Sequence, residues 1–226
     1  GNTAFDTKLY TGNGSTQTIA GLAFSPDFVW IKSRSAATDH KLTDIVRGAT
    51  KGLISDTVDV ETTDTNGLTA FTSSGFSLGT DTNYNNNAAT YAAWCWDAGT
   101  STVTNTAGSI TSQVRANATA GFSIVTYTGN FTAGATVGHG LGIVPQVIIV
   151  KSRTVLDDWA VYHVSNGNTK SMRFATDAPL TITAWNNTTP TSTVFTLGAR
   201  DESNRNAANY VAYCFAPVAG YSAFGS

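Results

Sequence analysis

The strongest constraint on the fold of this chain is an internal repeat of 119 residues. Displaced by that distance, residues 28–34 (FVWIKSR) fall on 147–153 (VIIVKSR), and 91–96 (YAAWCW) fall on 210–215 (YVAYCF). The motif YTGN at 10–13 recurs at 127–130, a spacing of 117 that requires a two-residue insertion before Gly140. Self-similarity at a fixed period indicates tandem copies of one structural unit.

Short runs of β-branched and aromatic residues, bounded by Gly, Asn, Asp and Pro, recur in both copies and predict strands. Residues 28–31 and 147–150 are apolar without alternation, which predicts central strands covered on both faces. In 91–96 the residues Tyr91, Ala93 and Cys95 share one face, opposite Ala92, Trp94 and Trp96. The predicted fold class is therefore all-β, with two tandem β-sandwich, jelly-roll-like repeats.

The predicted boundaries follow from the repeat. The first sandwich repeat is placed at 1–100 and the second at 121–226, and 101–120 is interpreted as a linker or an edge strand because it is poor in apolar residues. The last four residues, AFGS, resemble AFDT at 4–7. Residues 221–226 are therefore interpreted as the first strand of a further repeat, or as a strand that completes a sheet in this chain or in a neighbour.

Composition narrows the range of partners. Charged residues make up 12% of the chain, with 13 basic and 15 acidic residues and no basic cluster, so nucleic acid is not expected as a partner. No apolar run is long enough to cross a bilayer, so membrane insertion is not expected. A neutral surface rich in Thr, Asn, Ser and Gly suits an extracellular or virion surface, a sugar-binding face or a tightly packed array.

The sequence carries no recognisable catalytic motif, which favours a protein that is not an enzyme and has no cofactor. The histidines, His40, His139 and His163, lie at no metal-ligand spacing from Cys or from one another. Neither a nucleophile elbow nor a phosphate loop is present. Asp157 and Asp158 are adjacent, so on a strand they would point to opposite faces and not form a glycosidase pair.

One loop is a weak candidate for calcium. Asp81, Asn83 and Asn85 place oxygen ligands at alternate positions, as a Ca²⁺ loop would, but the sixth and twelfth positions lack Gly and Glu. In the second copy Arg200 stands where the first has Asp81, which argues against a shared metal site. Asn side chains that cap their own turn are the simpler interpretation.

Residues present in only one copy are the candidates for specific function. Trp185 is expected to be exposed between turn residues, where its ring would stack on a sugar and the amides of Asn186 and Asn187 would bond the hydroxyls. Trp159, with Asp158 and His163, is a second candidate for glycan binding, and Asp39 and His40 are also specific to one copy. The alternative is that Trp185 covers an edge of the core.

Residues kept in both copies are expected to be scaffold. Lys32 and Arg34 correspond to Lys151 and Arg153 and are interpreted as charges at a strand end. Cys95 and Cys214 also correspond. They are interpreted as buried free thiols, and a disulfide would require their Cα atoms to lie within about 7 Å.

Several motifs are similar to a module repeated in structural and tail-fibre-like proteins of bacteriophages, notably marine phages. They are FSPDFVWIKSR, NAATYAAWCWDAG, GFSIVTYTGN, VGHGLG and NYVAYCFAPVAGYSAFGS, and they span nearly the whole chain. The resemblance carries no catalytic or binding residues. It implies a virion-associated or extracellular protein that leaves the cell by lysis.

These observations predict a non-catalytic structural and adhesion module of a phage virion or tail-fibre-like appendage. Its expected partners are further copies of itself or neighbouring subunits, and the polysaccharide of a host cell surface. One alternative is a subunit of an extracellular filament or capsid decoration that is joined by strand exchange and binds no ligand. A polysaccharide depolymerase is the other alternative.

Overall fold

The computed structural model describes residues 3–174 and 178–225. The chain forms two compact units: unit 1 comprises residues 1–56 and 61–98, and unit 2 comprises residues 57–60 and 99–226. Both units consist of antiparallel sheets with one four-residue α-helix each. The all-β class predicted from the strand patterns is confirmed.

Unit 1 contains a main sheet of four strands in the order β1-β9-β3-β4 and a second sheet of three in the order β2-β8-β7. A two-stranded ribbon pairs β5 with β6. The elements are β1 (Phe5–Thr11), β2 (Gln17–Ile19), β3 (Phe28–Ser33), β4 (Lys41–Asp44), β5 (Lys51–Gly52), β6 (Thr62–Thr63), β7 (Leu68–Thr72), β8 (Gly75–Leu78), α1 (Thr82–Asn85) and β9 (Thr90–Trp96).

The core of unit 1 lies between its main sheet and its second sheet. Alternation along β9 sends Tyr91, Ala93 and Cys95 into this core, as the sequence predicts, while Trp94 and Trp96 lie on the other face. From the second sheet, Phe76 and Leu78 are buried against them. The apolar run at the start of β3 lies in a central strand between β9 and β4, as predicted, but its outer face is not covered throughout, because Trp30 there is partly exposed.

Unit 2 contains a main sheet of six strands in the order β10-β11-β12-β19-β14-β15, with two-stranded sheets β13-β18 and β16-β17. A short 3₁₀ helix spans Val164–Asn166. The other elements are β10 (Thr102–Asn105), β11 (Ser112–Asn117), β12 (Phe122–Thr128), β13 (Ala135–Gly138), β14 (Val147–Ser152), β15 (Ala160–His163), β16 (Lys170–Ser171), β17 (Leu180–Thr181), β18 (Val194–Leu197), α2 (Asp201–Asn204) and β19 (Asn209–Phe215).

The segment 101–120 is part of unit 2. Its strands β10 and β11 extend the main sheet beyond β12, and Ile110 and Val114 are buried in the same core as Val125 and Phe195. The segment is therefore part of the sheet and not a linker: β10 is the outermost strand, and β11, which contains Val114, lies between β10 and β12. The segment lacks apolar residues because β10 is exposed and β11 buries only one face.

Residues aligned by the repeat take corresponding places in the two units. Tyr10 lies opposite Tyr91 in the pair β1–β9 as Tyr127 lies opposite Tyr210 in β12–β19. Their rings stack with centroids 5.0 and 5.2 Å apart. The YTGN motif and the Tyr of the last main-sheet strand therefore serve the same packing contact in each unit.

A buried asparagine is the centre of this arrangement in unit 1. The Oδ1 atom of Asn85 accepts from the backbone N–H of Asn13 at 2.9 Å, and its Nδ2 donates to the carbonyl of Gly79 at 2.8 Å. Gly12 is required beside it, because a Cβ there would lie 2.2 Å from the carbonyl oxygen of Asn86.

Unit 2 repeats this hydrogen-bonding centre. The Oδ1 atom of Asn204 accepts from the N–H of Asn130 at 3.0 Å, and its Nδ2 donates to the carbonyls of Thr132 and Gly198, both at 3.0 Å. Both amides satisfy backbone groups that would otherwise be buried without partners, so the Asn-rich motif is scaffold.

The lysines shared by the two copies also act as scaffold. Lys32 donates through Nζ to the carbonyl of Thr38, and Lys151 donates to the aligned carbonyl of Asp157 at 3.0 Å. Lys151 also donates to the carbonyl of Val58 at 3.1 Å, which lies in the segment 57–60 of unit 2. Each lysine closes the loop that follows its strand.

Both thiols, Cys95 and Cys214, are free and buried, and burial raises the pKa of each to about 12. At the end of the chain, residues 223–225 form no strand, and the ring of Phe224 packs on that of Phe215 with centroids 6.3 Å apart. Ser226 lies outside the described residues, and the further repeat stays a prediction. In the part of the chain that the structure describes, no helix is long and apolar enough to cross a membrane.

Candidate functional site: an aromatic recess on unit 1

The outer face of the main sheet of unit 1 carries a recess of about 280 Å³ that is lined by Trp30, Trp94, Trp96 and His40. Trp30 on β3 and Trp94 on β9 lie directly opposite each other across the strand pair. Because side chains alternate along a strand, the same pattern that buries Ala93 and Cys95 turns the tryptophans to this face. All four lining residues are partly exposed.

Aromatic packing supports the recess from below. The ring of Trp96 stacks on that of Phe28 with centroids 5.1 Å apart, and it contacts Phe5 at 4.9 Å. Phe28 is buried, so it fixes the position of the tryptophan beside it. Such ring pairs stabilise a site beyond the area that they bury, by about 0.5–1.5 kcal/mol each.

His40 is held by a hydrogen bond from one of the tryptophans. The Nε1–H of Trp30 donates to Nδ1 of His40 at 2.8 Å, and the two rings meet nearly at right angles. Because indole N–H is only a donor, Nδ1 must be an acceptor, which assigns the proton of the neutral imidazole to Nε2. Burial lowers the pKa of His40 and so favours this neutral form.

The recess therefore offers apolar ring faces and ring N–H donors, among them Nε2–H of His40, without a carboxylate among its lining side chains. Pockets that enclose drug-sized ligands begin at about 300 Å³. This recess is therefore large enough for one small ring of a ligand but not for several rings at once. An uncharged ligand with an apolar face and hydroxyl groups matches both features. The lining side chains include no pair of carboxylates of the kind that glycosidases use.

Unit 2 does not reproduce the recess. The residues aligned with Trp30, Trp94 and Trp96 are Ile149, Tyr213 and Phe215, and Tyr213 is buried. Trp159 is aligned with His40, and it is also buried. The site is therefore specific to one copy, as expected for a function that the scaffold itself does not require.

The structure corrects the predicted exposure of Trp185 and shows that Trp159, the second candidate for glycan binding, is buried as well. Trp185 is 1% exposed and belongs to the core, where its ring meets that of Tyr162 edge-on, and Trp159 is 2% exposed against Phe174. Neither ring presents a face on which a sugar can stack. The alternative interpretation, that Trp185 covers an edge of the core, is closer to the structure, in which the ring is buried among the core residues.

The polar residues predicted beside them have other contacts. Asn186 and Asn187 both have positive φ, at 50° and 51°, and form the turn that follows Trp185. Asp158 forms an ion pair with Arg173 at 2.8 Å, and His163 contacts the hydroxyl of Ser165 at 2.7 Å. These residues do not converge on one site with the two tryptophans.

The loop considered for calcium is organised by hydrogen bonds. Asp81 caps α1 by accepting from the N–H of Asn83 at 2.6 Å, and Asn85 is fully buried with its amide bonded as described above. Burial, followed by a side-chain hydrogen bond with Asp81, raises the pKa of Asp64. Among the described residues no group of three or more His, Cys, Asp or Glu side chains could hold a metal ion.

His40 was a candidate from the sequence, but the three tryptophans around it were not. Their signal was present: tryptophan stands at three positions where the second copy has Ile149, Tyr213 and Phe215. The signal was weak because the neighbouring strand residues are buried and apolar in both copies. Joining Trp30 to Trp94 requires knowing that β3 pairs with β9, which the sequence does not show.

Comparison with known proteins identifies a family. Neither the curated proteins nor the solved structures contain a match to this chain. The family model that matches is described as a domain of unknown function, DUF7483, and it covers residues 2–226. Because the match spans nearly the whole chain, the chain belongs to the DUF7483 family.

Proposed function

We propose that this protein is a non-catalytic structural and adhesion module that binds neutral saccharide units of a host cell surface in the aromatic recess of unit 1. The observation that carries this proposal is the convergence of Trp30, Trp94, Trp96 and His40 on one recess. The rings would cover the apolar face of a sugar, and Nε2–H of His40 would donate to a hydroxyl.

The setting proposed for this module is a phage virion or tail-fibre-like appendage. It is supported by the resemblance of motifs along the chain to phage structural proteins. The small share of charged residues, 12%, is also suited to a hydrogen-bonding surface that acts outside the cell. A protein of this kind needs only a rigid scaffold and one exposed contact site.

Binding to the recess is measured directly by titration of the intact chain with neutral oligosaccharides and with purified cell-surface polysaccharides. Fluorescence of the tryptophans is the readout, since a stacked sugar changes their environment. Trp94→Ala removes one wall, and we expect it to weaken binding at least about tenfold, the effect of losing about 1.4 kcal/mol. The matched control is Phe131→Ala, which removes an exposed aromatic ring from unit 2.

Unchanged affinity in Trp94→Ala would exclude the recess as the binding site. If the wild-type chain binds none of the saccharides, the adhesive role is wrong and a structural role alone remains. Circular dichroism of Trp94→Ala establishes that lost binding does not reflect a lost fold.

A further inference from the structure

The outermost strands of the two main sheets are β1 and β4 in unit 1, and β10 and β15 in unit 2. An outermost strand presents unpaired N–H and C=O groups that can pair with another chain. Natural proteins protect such edges with inward-pointing charges, bulges or covering segments. The four edges differ in whether they have such protection.

Three of the edges are protected. On β1, Lys8 points toward the core side, donates to the carbonyl of Gly21 at 2.7 Å and pairs with Asp6 at 3.4 Å. On β4, Leu42 exchanges backbone hydrogen bonds of 2.9 and 3.0 Å with Leu53. On β15, Val161 exchanges two such bonds, both of 2.9 Å, with Met172.

The edge of β10 has none of these devices among the described residues. Its strand TVTN pairs with β11 alone, and the sequence is uncharged from Ala98 to Val114. Val103 lies opposite Val114, which is buried in the core, yet Val103 itself is 54% exposed. A further strand on this edge would cover Val103 and continue the apolar row.

We propose that β10 is an interaction edge and that its partner is β10 of a second copy of this chain. A strand rich in β-branched residues and without charge is self-complementary, because like charges never face each other across the pair. Antiparallel pairing of two identical strands places them around a two-fold axis, which gives a closed dimer. Pairing of β10 with β1 would instead give an open chain of copies, and Lys8 opposes it.

The dimer is expected to be weak. The strand has four residues, so the contact is smaller than the roughly 1,200 Å² buried in stable complexes. Sedimentation velocity of the intact chain from about 10 μM to about 1 mM, the range that spans weak association, should show a reversible monomer–dimer equilibrium.

Paired substitutions identify the edge. Val103→Lys places an inward charge on β10, as Lys8 does on β1, and we expect it to abolish dimerisation. The matched control is Leu9→Lys, which replaces an exposed apolar residue on β1 and should leave the dimer unchanged. A wild-type chain that stays monomeric over the whole range, a dimer that survives Val103→Lys, or assembly into open filaments would each overturn the proposal.

A cross-linking experiment gives an independent answer. Thr104→Cys places a thiol on β10, and Thr7→Cys places one at an exposed site on β1. Because the native thiols are buried, mild oxidation should link copies through the new residue alone. We expect a covalent dimer of Thr104→Cys and little of Thr7→Cys, since a disulfide requires Cα atoms within about 7 Å. Equal cross-linking of the two variants would contradict the proposed edge.

Discussion

The two units differ at the ends of the row of side chains that crosses the core face of each main sheet. In unit 1 the row begins and ends with a lysine, and in unit 2 it begins with an exposed valine. The rows are Lys8, Ala93, Ile31 and Lys41 in unit 1, and Val103, Val114, Val125, Ala212, Val150 and Ala160 in unit 2.

Two equivalent glycines, one in each unit, show which side chain covers this edge of the main sheet. The Nζ atom of Lys8 lies 3.7 Å from where a Cβ on Gly21 would be, and Cγ1 of Val114 lies 2.8 Å from where one on Gly140 would be. Gly21 and Gly140 correspond in the repeat, so the end of the Lys8 side chain lies where the side chain of Val114 lies in unit 2, although Lys8 itself corresponds to Val125 on β12. The same place at the sheet edge is therefore covered by a charged side chain in unit 1 and by the added strand β11 in unit 2.

Beside β4 the units differ again, and here we expect the largest effect of a substitution. In unit 1, Arg47 is buried and bonds the carboxylates of Asp44 and Glu61, the second at 2.9 Å. The residues aligned with Asp44 and Arg47 in unit 2 are His163 and Asn166. Arg47→Met should lower the free energy of unfolding by about 3–5 kcal/mol, because it leaves buried carboxylates without their cation.

Urea denaturation at neutral pH measures this loss. The control is Arg205→Met, since Arg205 is exposed and its contact with Asp201 spans 3.9 Å, so the change should have little effect. Losses of similar size in the two variants would mean that the buried ion pairs of Arg47 contribute no more to stability than the exposed pair of Arg205.

The asparagine centres should show where the units are alike. Asn85→Ala and Asn204→Ala each remove the partner of one buried carbonyl and of further partly buried backbone groups, and each should cost about 2–3 kcal/mol. Asn86→Ala is the control, because Asn86 is adjacent to Asn85 and exposed. Urea denaturation of the three variants tests whether the two aligned amides contribute equally to the free energy of unfolding. A large cost in one unit and none in the other would contradict a shared scaffold role.

Much of the fold follows from local pattern. The apolar runs at 28–31 and 147–150 predicted central strands, and alternation in 91–96 predicted which residues enter the core, because both properties depend on one strand and its two faces. The pattern at Asn186 and Asn187 also indicated a turn. It did not show that Trp185 beside the turn is buried, because burial depends on which distant strands pack over it.

The candidate site was predicted only in part for the same reason. His40 was identified because the copies differ there, but its Trp30 partner is recognised only through the hydrogen bond between the rings. The strand pair that brings Trp94 beside Trp30 joins residues far apart in the chain. The role of 101–120 was equally open, since its exposed polar strand has the composition of a linker.

A smaller effect is expected from pH at Lys151, whose side chain is buried in unit 2. Burial lowers the pKa of Lys151 to about 8 from an ordinary value of 10.5. Below pH 8 the lysine is protonated in both states. Between the two values the unfolded chain binds more protons, so this residue makes stability rise with pH.

Measurement of unfolding in wild type and Lys151→Met at two pH values isolates this contribution. The free energy of unfolding of wild type, relative to Lys151→Met, should be larger at about pH 9.5 than at about pH 7. The thiols also titrate here, but they are the same in both proteins and cancel in the difference. If the difference in the free energy of unfolding between wild type and Lys151→Met is constant or falls with pH, the charge of Lys151 does not destabilise the folded state.

The smallest effect on stability, and the sharpest test of the contrast between the edges, is expected from Lys8→Val. This change gives β1 the residue that β12 has at Val125, and it should alter the free energy of unfolding by less than about 1 kcal/mol because Lys8 is a partly exposed edge residue. It also removes the inward charge that protects β1. Copies should then join through β1 as well as β10 and form assemblies larger than a dimer, which sedimentation velocity detects.

Lys41→Val is the matched control: it removes the lysine at the other end of the row, where the edge of β4 is already bonded to Leu53. If Lys8→Val assembles no further than Lys41→Val, Lys8 does not prevent β1 from pairing with another copy. The backbone geometry of β1 would then be what prevents that pairing.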